Sequence, residues 1–302
     1  MRMGTIAARI HGVGRHFLFF LLIVLAGISP LAEAAQSGGA GLSPEQAQAL
    51  VERALATEAQ AAQDLSHAGH PMRYRLHKTS PRLTSTKEIV ETGDGDVARL
   101  LSINDQPLSP SDEQTEQARL DALLANPSLQ QHRKQSEDSD TARAMKVLRV
   151  LPTAFLYKFA GTATAGGATV EKFTFRPNPQ FDPPDLETGV LTAMAGEIWV
   201  DPVQERVVRL KGSLQQDKET IFNVAGLDKG GWVQIDQADV GGRQWRIVHI
   251  QLKMNGHILW KTKNSDSVQD YSEFVPISKG ISYKDAIQML RGIPATGARS
   301  GR

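Results

Sequence analysis

Alternation of apolar and polar residues with period two governs most of the second half of the chain, and the helical period governs stretches of the first half. Ser43-Pro44-Glu45-Gln46 predicts a helix start, with Ser43 as N-cap, Pro44 in the first turn and Gln46 closing a capping box. The predicted helix runs to about Ser66 on a lean stripe of Leu50, Val51, Ala54, Leu55, Ala62 and Leu65, and so lean a stripe needs something to pack against. Met72 to Lys78 then alternates, Met72, Tyr74 and Leu76 on one side and Arg73, Arg75 and His77 on the other, the pattern of a half-buried strand. Thr84 to Thr92 and Val97 to Ile103 follow as strands joined by the turn Gly93-Asp94-Gly95-Asp96, giving an antiparallel meander.

From Ser109 the chain turns helical and charged. Ser109 or Ser111 caps a helix through Leu124, Asn126-Pro127 breaks it, and Gln130 to Asp140 reads as a solvated helix end or loop. A last helix with Ala144, Val147, Leu148 and Leu151 on one face ends at Pro152. Predicted strands then occupy Phe155–Ala160, Val170–Arg176, Gly196–Asp201, Arg206–Leu214, Gly231–Gln237, Trp245–Met254, His257–Lys263 and Asp270–Val275. The Pro-rich stretch Asn178–Asp185 cannot be a central strand, and Tyr283–Leu290 reads as a short closing helix. Helices and strands are segregated rather than alternating, so the fold class is α+β with antiparallel strands.

The stretch Trp245 to Lys263 draws attention within this pattern. Asn255-Gly256 is a strong hairpin signal and predicts Met254 opposite His257, Leu252 opposite Leu259 and Gln251 opposite Trp260. One face then carries Val248, Ile250, Leu252, Met254 and Leu259, and the other Trp245, Ile247, Ile258 and Trp260. Large apolar groups on both faces imply that both are at least partly covered.

The N-terminus changes the picture of where the chain works. Arg2, Arg9 and Arg15 precede the apolar run Phe17–Ile28, and Ala32-Glu33-Ala34 gives a small-x-small cleavage pattern, so residues 1–34 read as a Sec-type signal peptide. Residues 35–42 read as a flexible leader, 43–292 as one domain with a helical insert at about 105–151, and 293–302 as a disordered tail. No other run reaches the roughly eighteen apolar residues a membrane-spanning helix needs. Cleavage removes three arginines and Glu33 from the 34 basic and 33 acidic residues, which leaves 31 and 32 and a charge of −1. So even a balance gives no surplus for phosphate contacts and argues against nucleic acid as a partner. The chain has no cysteine, which excludes disulfides, thiolate catalysis and zinc–thiolate sites.

Candidate chemistry is sparse. His67, His70 and His77 lack interspersed acidic ligands, and neither Asp94-Gly95-Asp96 nor Glu137-Asp138-Ser139-Asp140 has calcium-loop spacing. The Gly-rich stretch Gly161–Gly167 lacks the lysine of a phosphate loop, and His249 has no nucleophile motif to serve. No metal, cofactor or catalytic residue is assigned. A carboxylate pair of the glycosidase kind is open by spacing alone, with nothing to favour one. The remaining feature is aromatic, since all 4 tryptophans fall in the last block of strands.

The order of elements, signal peptide, amphipathic helix, meander, helical insert and a long run of hairpins, resembles the periplasmic lipoprotein-carrier (LolA/LolB-like) fold. The wording GEIWVDPVQERVVRLKGSL (Gly196–Leu214) is similar to a hairpin of that family, although Asp105–Leu151 makes this chain longer than the carriers. The resemblance implies a strongly bent antiparallel sheet, a half-open barrel with helices packed on its concave side. It further implies an apolar space for acyl chains of lipids or lipidated proteins. The expectation is an exported, non-enzymatic protein of the periplasm or exterior that binds such a ligand, with Tyr74, Leu76, Tyr157, Phe173, Phe175, Trp199, Trp245, Ile247 and Trp260 as lining. Membrane contact would be transient, with no span after signal cleavage. An envelope-associated module using a sheet face or Gln130–Asp140 for a protein partner is the alternative.

Overall fold

A computed structural model describes residues 41–66, 70–221, 225–258 and 261–293. The signal peptide, most of the leader and the tail fall outside these residues, as do His67, Leu259 and Trp260. The described chain forms two compact units, one from residues 61–144 and 268–293, the other from 41–60 and 145–267. The chain order is α1 (Pro44–Ser66), β1 (Met72–Thr79), β2 (Ser85–Val90), β3 (Val97–Ile103), β4 (Gln106–Pro107), α2 (Pro110–Ala125) and α3 (Pro127–Ala154). Then come β5 (Phe155–Ala165), β6 (Ala168–Pro177), α4 (Leu186–Gly189), a 3₁₀ turn, β7 (Met194–Asp201), β8 (Arg206–Leu214), β9 (Lys218–Ile221) and β10 (Ala225–Leu227). The chain continues through β11 (Trp232–Asp239), β12 (Trp245–Ile258), β13 (Lys261–Pro276) and α5 (Tyr283–Arg291). Strands follow the hydrogen-bonded order β4-β3-β2-β1-β13-β12-β11-β8-β7-β6-β5, with β10 on β12 and β9 on β10. The path ends on two different strands, so the sheet is open, and the fold is α+β.

In the first unit, α5 and α2 build one core with β2 and β3. Val90, Val97, Leu120, Leu123, Tyr283, Ala286, Ile287 and Leu290 are all buried in it. Helix α2 also serves the edge of β3: Glu116 accepts from the Leu100 N–H at 2.9 Å and Arg119 donates to the Ala98 carbonyl. Those side chains stand in for a missing neighbour strand, which keeps the edge from pairing elsewhere.

The second unit holds residues 44–60 of α1. Its predicted cap is present, Ser43 N–H donating to Gln46 Oε1 at 2.9 Å and Gln46 N–H to Ser43 Oγ at 3.2 Å. Ala47, Leu50, Val51, Ala54 and Leu55 are buried on one stripe. One helical turn further, Glu58 accepts from Arg206 Nε and Nη2 at 2.8 and 2.9 Å and from the Val207 N–H at 2.9 Å. The helix is therefore fastened to β8 by a closed, doubly hydrogen-bonded ion pair.

Three expectations are corrected. Asn255-Gly256 is not a turn: β12 runs through it to Ile258, and Gly256 pairs with Leu227 of β10. A Cβ on Gly256 would stand 2.8 Å from the Gly226 carbonyl oxygen, so glycine serves close strand approach here rather than a reverse turn. Leu252 and Gln251 accordingly pair with Val233 and Gln234 of β11. Second, Gln130–Asp140 lies inside α3, which is continuous, and Gln130, Glu137 and Asp140 are buried. The reason is the β2–β3 turn: Gln130 Nε2 donates to the Asp94 and Gly95 carbonyls at 3.0 and 2.9 Å, and Glu137 accepts from the Asp96 N–H at 3.0 Å. Gly95 has φ +97°, which a side chain would strain, and a Cβ there would meet Gln130 at 3.0 Å. Third, Pro152 does not end α3 but sits in its last turn, and the predicted strand His257–Lys263 is divided, His257 and Ile258 belonging to β12 while Lys261–Lys263 join Asp270–Val275 in one long β13. The short α4 and β9 and β10 were not expected from the pattern.

Candidate functional site

The first unit presents a strand face of unusual polarity. Alternation puts Tyr74, Leu76 and Lys78 on one side of β1, and the register sets Ile89 opposite Tyr74 and Lys87 opposite Leu76. Leu76 also pairs with Tyr271 of β13, and Lys87 with Leu100 of β3, so Tyr271, Leu76, Lys87 and Leu100 form one row across four strands. Tyr74, Leu76, Ile89, Ala98 and Leu100 are buried, and Lys87 stands in their midst, half-buried. Tyr74 stacks on Phe274 at 5.4 Å and tilts against Tyr271 at 6.0 Å, both of them half-buried.

Cations gather around this face. Burial drives the Lys87 ammonium down to about 8, and Arg119, Lys78 and Arg133 push the same way while Glu116 opposes them. Burial also lowers Lys78, and it lowers Arg133, with Arg119 acting in the same sense against Glu137, Asp96 and Glu116. Lys78 of β1, Arg119 of α2 and Arg133 of α3 are thus within electrostatic reach of Lys87 on β2. Arg119 is committed, to Glu116 at 2.7 and 2.8 Å. Lys78, Lys87 and Arg133 donate to no group among the described residues. A desolvated cation without a partner is costly, and three together favour an anion. Glu116 and Glu137, the nearest carboxylates, are engaged by the backbone N–H groups of Leu100 and Asp96.

The expected lining is dispersed. Tyr74 and Leu76 belong to this face. Tyr157, Phe173 and Phe175 lie in the second unit with Phe155 and Phe159, where Phe155 and Phe175 are 4.5 Å apart and Phe159 and Phe173 5.9 Å. Phe173 has no exposure, and the Tyr157 hydroxyl is spent on the Leu151 carbonyl at 3.0 Å. Trp199 pairs with Lys172 of β6 and Arg209 of β8, which places it on the opposite side of the sheet from Phe173 and Phe175. Trp245 is buried under the Arg206 guanidinium at 5.3 Å and donates to Gln204 at 3.2 Å. Between Asp236 and Gln237 the β11–β12 register shifts, and half-buried Ile247 pairs beyond that shift with Gln237. Trp260 lies outside the described residues. The basic group was not singled out from the sequence; the lysines Lys78 and Lys87 and the arginine Arg133 are ordinary surface letters until pairing and α3 bring them to one face.

Other chemistry is thin. Among the described residues no three of His, Cys, Asp and Glu stand together as metal ligands. His77 Nδ1 is 3.1 Å from Thr86 Oγ1 and 3.8 Å from Asp105. The desolvated acids are separate: Glu88, raised chiefly by burial, lies between Arg73 and Arg75 in the first unit, and Glu171, raised by burial, is in the second. No helix among the described residues is long and apolar enough to cross a membrane.

No family model and no curated protein matches the chain. Among solved structures it is similar to a domain from Vibrio parahaemolyticus ascribed to outer membrane lipoprotein sorting, at 9% identity and a TM-score of 0.33 over 80% of this chain and 97% of that one. It is also similar to a DUF1329 family protein from Desulfovibrio piger, at 11% identity and a TM-score of 0.31 over 80% of this chain and 99% of that one. Likenesses this remote carry no weight for function.

Proposed function

We propose that the protein is an exported, non-enzymatic binding protein for an anionic amphiphile, a lipid or the lipid part of a larger molecule. The observation that carries this reading is the convergence of Lys78, Lys87 and Arg133, desolvated and without hydrogen-bond partners, on one strand face. Their charge suits a carboxylate or phosphate head. Tyr74, Tyr271 and Phe274, directly along the same face, offer an apolar surface for hydrocarbon. Holding rather than chemistry fits the site, because Glu116 and Glu137 are already engaged by the backbone N–H groups of Leu100 and Asp96. Export rests on the charge and hydropathy pattern of residues 1–34.

Native mass spectrometry of protein purified from its host, followed by titration with anionic and zwitterionic lipids of equal chain length, tests the reading. An acidic lipid should copurify or bind, and Lys87→Gln with Arg133→Gln should weaken it at least tenfold, the scale of losing one charged hydrogen bond. Equal binding of both lipid classes, or an unaffected double variant, would sink it.

A further inference from the structure

The second unit has a face whose composition follows from its registers. Across β5, β6, β7, β8, β11 and β12, Lys158 pairs with Thr174, Thr174 with Glu197, Glu197 with Lys211, Lys211 with Gln234 and Gln234 with Gln251. In the adjacent row Lys172 pairs with Trp199, Trp199 with Arg209, Arg209 with Asp236 and Asp236 with His249. Trp232 and Lys253, paired with each other, continue the same side of β11 and β12. Lys158, Lys211 and Lys253 are exposed, and Lys172, Trp199 and Trp232 are half-buried.

Arg209 is closed on Asp236 by two hydrogen bonds at 2.7 and 2.8 Å, so that pair presents no net charge. What is left is Lys158, Lys172, Lys211 and Lys253 against Glu197, and none of the four lysines has an ion pair among the described residues. The cations lie beside the indoles: Lys172 and Arg209 are 5.4 and 4.5 Å from the Trp199 ring, and Lys211 is 5.3 Å from Trp232.

We propose that this face docks the protein on an anionic bilayer surface. Flexible lysines on four of the six strands match diffuse lipid charge, each contributing near the surface, and indoles favour the headgroup region. A nucleic acid fits less well. Glu197 sits in the middle of the lysine row, where a phosphate track would pass. The lipid surface is thus a contact distinct from the single ligand proposed for the first unit.

Co-sedimentation with phosphatidylcholine vesicles, with and without about one third phosphatidylglycerol, reads the contact directly. The protein should bind only the anionic vesicles, and less at high salt. Lys172→Gln with Lys211→Gln should lower partitioning about twentyfold, since two surface lysines each contribute roughly fivefold. Lys279→Gln, which removes an exposed lysine of the other unit that belongs to neither proposed contact, should leave it unchanged. Equal binding to neutral vesicles, an unaffected double variant, an equal loss on Lys279→Gln, or capture by heparin or an oligonucleotide without vesicle binding would overturn the proposal.

Discussion

Both units bury charge, and they do so in opposite ways. In the second, Glu58 and Arg206 each keep 11% side-chain exposure and are saturated, with the Val207 N–H completing the set. In the first, Lys78, Lys87 and Arg133 are desolvated and no hydrogen-bonded ion pair closes on them; Arg119, Lys78 and Arg133 repel Lys87 against Glu116, while Glu137, Asp96 and Glu116 offset the burial of Arg133. A closed pair fastens a helix to a strand. An open cluster holds nothing together and raises the energy of the unliganded fold, which is the expense a binding site incurs and a structural ion pair does not.

The comparison can be broken by substitution, starting from the packed reference. Phe173 is wholly buried among aromatic neighbours, and Phe173→Ala should cost about 4 kcal/mol, near the usual figure for an emptied aromatic site. Thermal unfolding should record a fall of about 10 °C. Glu58→Ala strands the Arg206 guanidinium and the Val207 N–H, and should cost about 3 kcal/mol in denaturant titration. If it costs nothing, the pair is not the clasp of α1.

The open cluster should respond with the other sign. Lys87 titrates near 8 in the folded protein against 10.5 ordinarily, so the fold releases this proton earlier than the unfolded chain. Stability should therefore rise as pH climbs from about 8 toward 10.5, while affinity for an anion should fall about tenfold between pH 7 and 9. Calorimetric titration in buffers of different ionisation enthalpy would also show proton uptake on binding near pH 8. Smallest of all, Lys87→Met should stabilise the unliganded protein by about 1 kcal/mol while weakening anion binding about tenfold. A destabilised Lys87→Met would place Lys87 with the structural charges instead.

Local signals were read well wherever neighbours agree with them. The Ser43 cap, the alternation of β1, the break at Asn126-Pro127 and the α5 helix each depend on a few adjacent residues, and the structure keeps them all. Asn255-Gly256 shows the limit, because a turn propensity of the dipeptide gave way to pairing with β10, whose residues lie about thirty positions away. Polar letters between Gln130 and Asp140 misled for the same reason: their partners are backbone groups of the Asp94–Asp96 turn, which no window on the helix contains.

The amino-acid sequence by itself determined the α+β class, the run of antiparallel strands, the first helix and the gathering of the tryptophans in the last block of strands, since period, caps and alternation are local properties of the chain. Tertiary structure alone decided which side chains share a face. Register set Lys87 between Leu76 and Leu100, α3 added Arg133, and Trp199 was turned away from Phe173 by a strand pairing. Which charges find partners and which do not depends on contacts far apart in the chain, and that accounting is where the candidate site came to light.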